Sequence, residues 1–133
     1  MIAFDRPIFG GDRRRLLEAQ LEDHPDRGLL TRGANGEITG YLFADERRLA
    51  PFLASTPQTA DTLLRAGLQF SFSALPGVIA PLQNKAAVDM LVDYGFVSLR
   101  NCAHMQRGGS AHPQQVDKLY GQRILCGGVK AHP

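Results

Sequence analysis

The sequence predicts an α/β (α+β) fold, a mixed and mostly antiparallel sheet with helices on both faces. Three stretches carry that prediction. In the first, residues 83–96, Asn84 suits a helix N-cap, because its side-chain oxygen can accept from the orphan N–H groups of the first turn. Ala87, Val88, Met90, Leu91 and Tyr94 then recur at helical spacing. Gly95 supplies a glycine stop, and Phe96 opens an apolar strand. The second stretch is Ala34-Asn35-Gly36, a tight turn between two strand-like runs. The third is the apolar run 49–54, which hands over to Thr56-Pro57, a cap followed by a proline at the first helical position.

Taken in order, residues 4–11, with Pro7 and the paired Gly10-Gly11, read as an irregular entry. Asp12 suits the cap of a helix over 13–22, with Leu16, Leu17 and Leu21 on its buried side. His24-Pro25-Asp26-Arg27-Gly28 ends it. Residues 29–32 and 37–44 form the hairpin, and Asp45-Glu46-Arg47-Arg48 turns the chain into a third strand over 49–54. The next helix, through 59–70, carries Ala60, Leu63, Leu64 and Leu68 on one face. Residues 78–82 make a short buried strand, followed by the Asn84 helix and a long strand over 96–106. Breakers fill 108–113, residues 116–120 suit a short helical turn, and 122–127 a last strand. The order α-β-β-β-α-β-α-β-β reads as one domain over residues 1–133, without repeat or linker.

Composition narrows the function classes. A chain of 133 residues with 44% hydrophobic and 21% charged residues can bury a core and has no disordered bias. A net charge of +2 is too little to argue for nucleic acid, and none is expected as a partner. Arg13-Arg14-Arg15 and Arg47-Arg48 read as a solvated helix face and a turn. No apolar run approaches the ~20 residues of a membrane span, and no signal peptide precedes the first charges. Cys102 and Cys126 lack metal-ligand spacing and read as free cytosolic thiols, with a single disulfide as the alternative. His24, His104, His112 and His132 have no partner spacing, so no metal is expected. Glu37, Asp45 and Glu46 are hairpin charges before they are acid–base candidates, and Ser71-Phe72-Ser73 lacks the glycine elbow of a hydrolase.

The chain resembles the GNAT-fold (Gcn5-related) N-acetyltransferases. Those chains often read Asn-x-x-Ala-x-x-Leu-Tyr-x-x-x-Gly-Phe after the fifth strand, and Asn84, Ala87, Met90, Gly95 and Phe96 fall on that frame. The likeness extends through Phe4-Asp5-Arg6, Phe9-Gly10, Asp12-Arg13, the run 49–54 and His104-Met105-Gln106-Arg107-Gly108. Over nearly the whole length it looks like the C-terminal half of tandem GNAT proteins. The resemblance implies acetyl-CoA as co-substrate and a primary amine, on a small molecule or a peptide, as acceptor.

Acetyl-CoA would lie in the splay between strands 49–54 and 78–82. Backbone N–H groups near Phe52, Leu53 and Ala54 would orient the thioester carbonyl. The hydroxyls of Ser55, Thr56 and Thr59 at a helix start would face the phosphates, with Asn84 at the neighbouring helix start. Two departures stand against this. The family cradle, Gln/Arg-x-x-Gly-x-Gly/Ala, is here Ala54-Ser55-Thr56-Pro57-Gln58-Thr59-Ala60, without glycine and with Pro57 removing a donor. A plain helix cap is the preferred reading of those residues. The position of the family's tyrosine acid is Leu91; Tyr94, three residues on, is the candidate acid or else a core or rim tyrosine.

Two readings follow. In one, the domain is an acyl-CoA-dependent N-acyltransferase with a degenerate cofactor loop. In the other, it is a silent GNAT-like domain serving substrate binding or dimerisation for an active partner. Pairing of the last strands, 122–127, would give a homodimer, and the expected location is cytoplasmic.

Overall fold

The structure, a computed structural model, describes residues 1–98, 115–122 and the backbone of 129–131. Its helices are α1 (Ile2–Phe9), α2 (Arg14–Asp23), α3 (Pro57–Gly67) and α4 (Lys85–Asp93). Its strands are β1 (Gly28–Arg32), β2 (Ile38–Ala44), β3 (Leu49–Ala54), β4 (Gly77–Val78), β5 (Phe96–Ser98), β6 (Leu119–Gly121) and β7 (Val129–Ala131). Two sheets form, in the orders β1-β2-β3-β6 and β4-β7-β5, and every ladder within them is antiparallel. The expected α/β architecture is therefore present, with helices on both faces.

Side-chain alternation builds two cores. On one face Tyr41, Phe43 and Leu53 pack with Leu119 against Ile8 of α1 and Leu17 of α2. On the other, Leu42, Phe52 and Ala54 pack against Ala60, Leu63 and Leu64 of α3 and Ala87 and Leu91 of α4. Helix α3 seats closely because β2 is bare at Gly40, where a Cβ would lie 2.9 Å from the Leu63 side chain. At its other end Arg27 clamps the connection to β4. Its guanidinium lies 5.1 Å from the ring centres of both Phe70 and Phe72 and donates to the carbonyls of Ala44 (3.2 Å) and Asp45 (2.8 Å).

Several elements form as expected. Gly36 takes φ 80° in the hairpin turn, which only glycine adopts without strain. Thr56 caps α3 by accepting from the Thr59 N–H at 3.2 Å, with Pro57 as its first residue. Asn84 caps α4, and Gly95 follows it at φ 89°.

Others differ. The entry is not irregular but helical: α1 forms despite Pro7, because Ile8 is buried and Asp5 is pinned from outside the helix. Helix α2 starts at Arg14 without a side-chain cap; Asp12 instead accepts from the Arg14 N–H in a local turn (2.9 Å). Leu21 is 40% exposed, and Gln20 is buried in its place. β4 holds two residues rather than five, since Pro76 and Pro81 cannot donate to a ladder and Leu82 turns out to solvent. Residues 116–118 form the helical turn, but 119–121 are strand. The expected strands 96–106 and 122–127 lie outside the described residues beyond Ser98 and Gln122, as do Cys102, Cys126, His104, His112 and His132.

Candidate functional site

Strands β3 and β4 meet at one end only. Arg48 bridges Gly77 in parallel, and the Gly77 N–H donates to the Arg47 carbonyl at 2.8 Å. Beyond that point the strands diverge into a wedge. Parallel strands that splay apart open a crevice at their carboxyl ends, the usual place for a ligand in an open sheet. Helix α3 begins directly after β3, and α4 follows β4, so both helices start on that side of the sheet.

The wedge is filled by the chain itself. β6 enters it antiparallel to β3, with Gly121 opposite Phe52 and Leu119 opposite Leu53. On the β4 side the Gln122 N–H donates to the Ile79 carbonyl at 2.7 Å. At the mouth Asn84, only 3% exposed, uses both ends of its amide. Its oxygen accepts from the Ala87 N–H (3.1 Å), and its nitrogen donates to the Leu119 carbonyl (2.9 Å). One residue thus caps α4 and ties down β6. The Tyr120 ring packs on Phe52 with centroids 5.4 Å apart, and its buried hydroxyl has no hydrogen-bond partner among the described residues. Burial raises the pKa of that phenol, against the pull of the nearby Asn84 amide.

The residues expected to bind acyl-CoA are distributed around this arrangement. Phe52, Leu53 and Ala54 are fully buried and paired, the first two with β6 and the third with Gly40 of β2. The Ser55 N–H donates to the Thr39 carbonyl at 2.8 Å. The Thr56 hydroxyl accepts from the Thr59 N–H and donates to the Thr59 hydroxyl at 3.0 Å, so the pair is engaged in the helix cap. Asn84 borders the wedge. Tyr94 ends α4, about 15 Å along the axis from Asn84. Its hydroxyl donates to Asp61 at 2.7 Å and accepts from Arg65 at 3.4 Å, joining α4 to α3. The tyrosine hydroxyl is the main cause raising the pKa of the exposed Arg65.

The other acid–base candidates hold turns. Glu37 accepts from the Asn35 N–H (3.0 Å), and Asp45 accepts from the Arg47 and Arg48 N–H groups (both 2.7 Å). Ser73 donates through N–H and hydroxyl to the Glu46 carbonyl. No group of three or more metal-ligating side chains occurs among the described residues.

A second cluster escaped sequence reasoning. Arg13, expected on a solvated face, is folded inward with a side chain 8% exposed. Its Nη2 approaches Asp5 at 2.6 Å and Tyr41 at 3.1 Å, its Nε binds both Asp5 oxygens, and Phe9 stacks 4.0 Å away. The Tyr41 hydroxyl also donates to Asp5. Burial opposes the Arg13 charge, but Asp5 and Tyr41 together more than restore it and the pKa rises. Burial likewise pushes the Tyr41 phenol up, against the pull of Arg13. Every polar group in this knot has a partner, and it joins α1, the α1–α2 turn and β2.

The wedge between β3 and β4, a two-faced helical cover and an Asn-capped helix leading to a Gly-Phe strand start are the shared frame of one family. The chain matches the model of the acetyltransferase (GNAT) domain over residues 1–121. It belongs to that family. A structure from Pyrococcus horikoshii, described as a candidate acetyltransferase, superposes on this GNAT domain with a TM-score of 0.68 at 23% identity. The match covers 92% of this chain and 40% of that one, so the GNAT domain spans two fifths of its neighbour's length. No curated protein matches it in sequence. GNAT domains generally use acetyl-CoA. Among the described residues no helix is long and apolar enough to cross a membrane.

Proposed function

We propose that this GNAT domain, in the conformation described, is catalytically silent and serves an active acyltransferase domain as a packing, substrate-binding or dimerisation surface. The observation that carries this is the wedge filled by residues 119–122, where acetyl-CoA would otherwise lie. The α3 start supports it further. Its threonine hydroxyls bind one another, it has no glycine for close phosphate approach, and Pro57 offers no N–H. On this reading the 133 residues are one domain, the C-terminal half of a longer tandem protein or one half of a homodimer. The active partner supplies acyl transfer in the cytoplasm.

A second reading is favoured by the intact frame of the wedge and the two helix starts on its open side. There the domain would transfer an acetyl group from acetyl-CoA to the primary amine of a small molecule or peptide. Ser55, Thr56 and Thr59 would hold the phosphates, and Tyr94 would supply the acid once released from Asp61. With residues 119–122 in place, the wedge has no room for acetyl-CoA.

Titration of the purified chain with acetyl-CoA, by calorimetry and thermal shift together, separates the two. A ligand bound by the native state alone raises the melting temperature as its concentration passes Kd. The silent reading expects no heat and no shift up to millimolar acetyl-CoA. Micromolar binding that weakens in Thr56→Asp would overturn it in favour of transfer.

A further inference from the structure

We infer that residues 119–122 are a displaceable intrachain plug in a latent acyl-CoA groove, so that the plug, and not the glycine-free α3 start alone, accounts for the silence proposed above. The inference rests on that reading and adds a cause to it.

The segment enters the wedge only because residue 121 is glycine. A Cβ there would sit 2.7 Å from the Leu49 carbonyl oxygen, 3.1 Å from the Phe52 Cβ and 3.4 Å from the Val78 side chain. It would therefore strike β3 backbone while touching β4. Any larger residue must push the segment out or part the strands.

What holds the plug is the same set of groups a ligand would use. The edge of β3 pairs with it, the Ile79 carbonyl accepts from Gln122, and the Asn84 amide donates to Leu119. The pantetheine arm of an acyl-CoA is extended and carries two amides and a thioester carbonyl, so it makes the same demands on a strand edge as a peptide does. Plug and ligand are mutually exclusive occupants of one slot.

The fit of the plug is also incomplete. Only two residue pairs register with β3, and a shift separates them. The buried Tyr120 hydroxyl lies near the Asn84 amide but falls short of hydrogen-bond geometry with it, whereas the other fully buried large tyrosine, Tyr41, makes two hydrogen bonds. A strand that belonged permanently to the core would be expected to satisfy that group.

The test compares the parent chain with Gly121→Leu, which cannot remain seated, and with Tyr120→Asp, whose carboxylate is stable only outside the wedge. Each is titrated with acetyl-CoA by calorimetry after its melt is checked for cooperativity. The expected result is one-to-one binding by a variant at least about tenfold tighter than by the parent, because apparent affinity scales with the fraction of molecules whose groove is open. Binding by neither variant, both folded, would overturn the plug and leave the silent domain standing. Equal binding by parent and variants would overturn both. Failure of both variants to melt cooperatively would make the segment core and not a plug, and would equally end the inference.

Discussion

β3 is hydrogen-bonded along both edges, and the two edges are unlike. Toward β2 it pairs from Leu49 to Ala54, and the joint is reinforced on the α1 side by Asp5, Arg13 and Tyr41, all partnered. Toward β6 it pairs at two residues, beside a tyrosine whose hydroxyl is unmatched and a glycine with no room for a methyl group. Both regions bury tyrosine. One is closed by a charge network, the other by a segment that touches much and bonds little. The difference teaches where this fold is committed and where it is adjustable: buried polar groups that are fully paired lock an element, and unpaired ones leave it replaceable.

The comparison breaks most visibly at Asp5. Asp5→Ala leaves the Arg13 guanidinium buried without its carboxylate, and is expected to remove about 3–5 kcal/mol, read as a lower urea midpoint with unchanged m. A loss below about 1 kcal/mol would mean that Arg13 reaches water and that the α1 side is no firmer than the wedge. Asn84 comes next. Asn84→Ala loses the cap and the tie to Leu119, about 2 kcal/mol together. Asn84→Ser keeps a capping oxygen and loses only the tie, about 1 kcal/mol. Equal effects of the two would show that the tie to β6 carries all of the contribution. The smallest effect has the opposite sign. Tyr120→Phe removes an unmatched buried hydroxyl and should raise stability by up to about 1 kcal/mol, whereas Tyr41→Phe should lower it. Calorimetric melts of both side by side decide whether the two tyrosines really differ.

Local chemistry made much of this legible. The Asn84 cap, the Asn35-Gly36 turn and the Thr56-Pro57 helix start are each set by residues within four positions of one another, and all three formed as read. What was hidden depends on distance along the chain. Pro7 and Gly10-Gly11 read as breakers, yet α1 is held by Asp5 through partners 8 and 36 residues away. Arg13 among three arginines looks like surface until Tyr41 is beside it. Leu119, Tyr120 and Gly121 are too few to signal a strand, and nothing in their order announces that they fit between two strands far upstream. The candidate cofactor residues were legible as helix starts and strand ends; that the chain occupies its own wedge was not.

The Arg27 clamp has a consequence for how the molecule is cut. The connection after α3 carries two phenylalanines among small and polar residues, the composition a chymotrypsin-like protease selects. Because both rings lean on one guanidinium that is itself fastened to the end of β2, that stretch is presented to a protease only as often as β2 frays. An Arg27→Lys chain keeps the charge but loses the flat, two-sided surface, and should be nicked there while the parent stays whole.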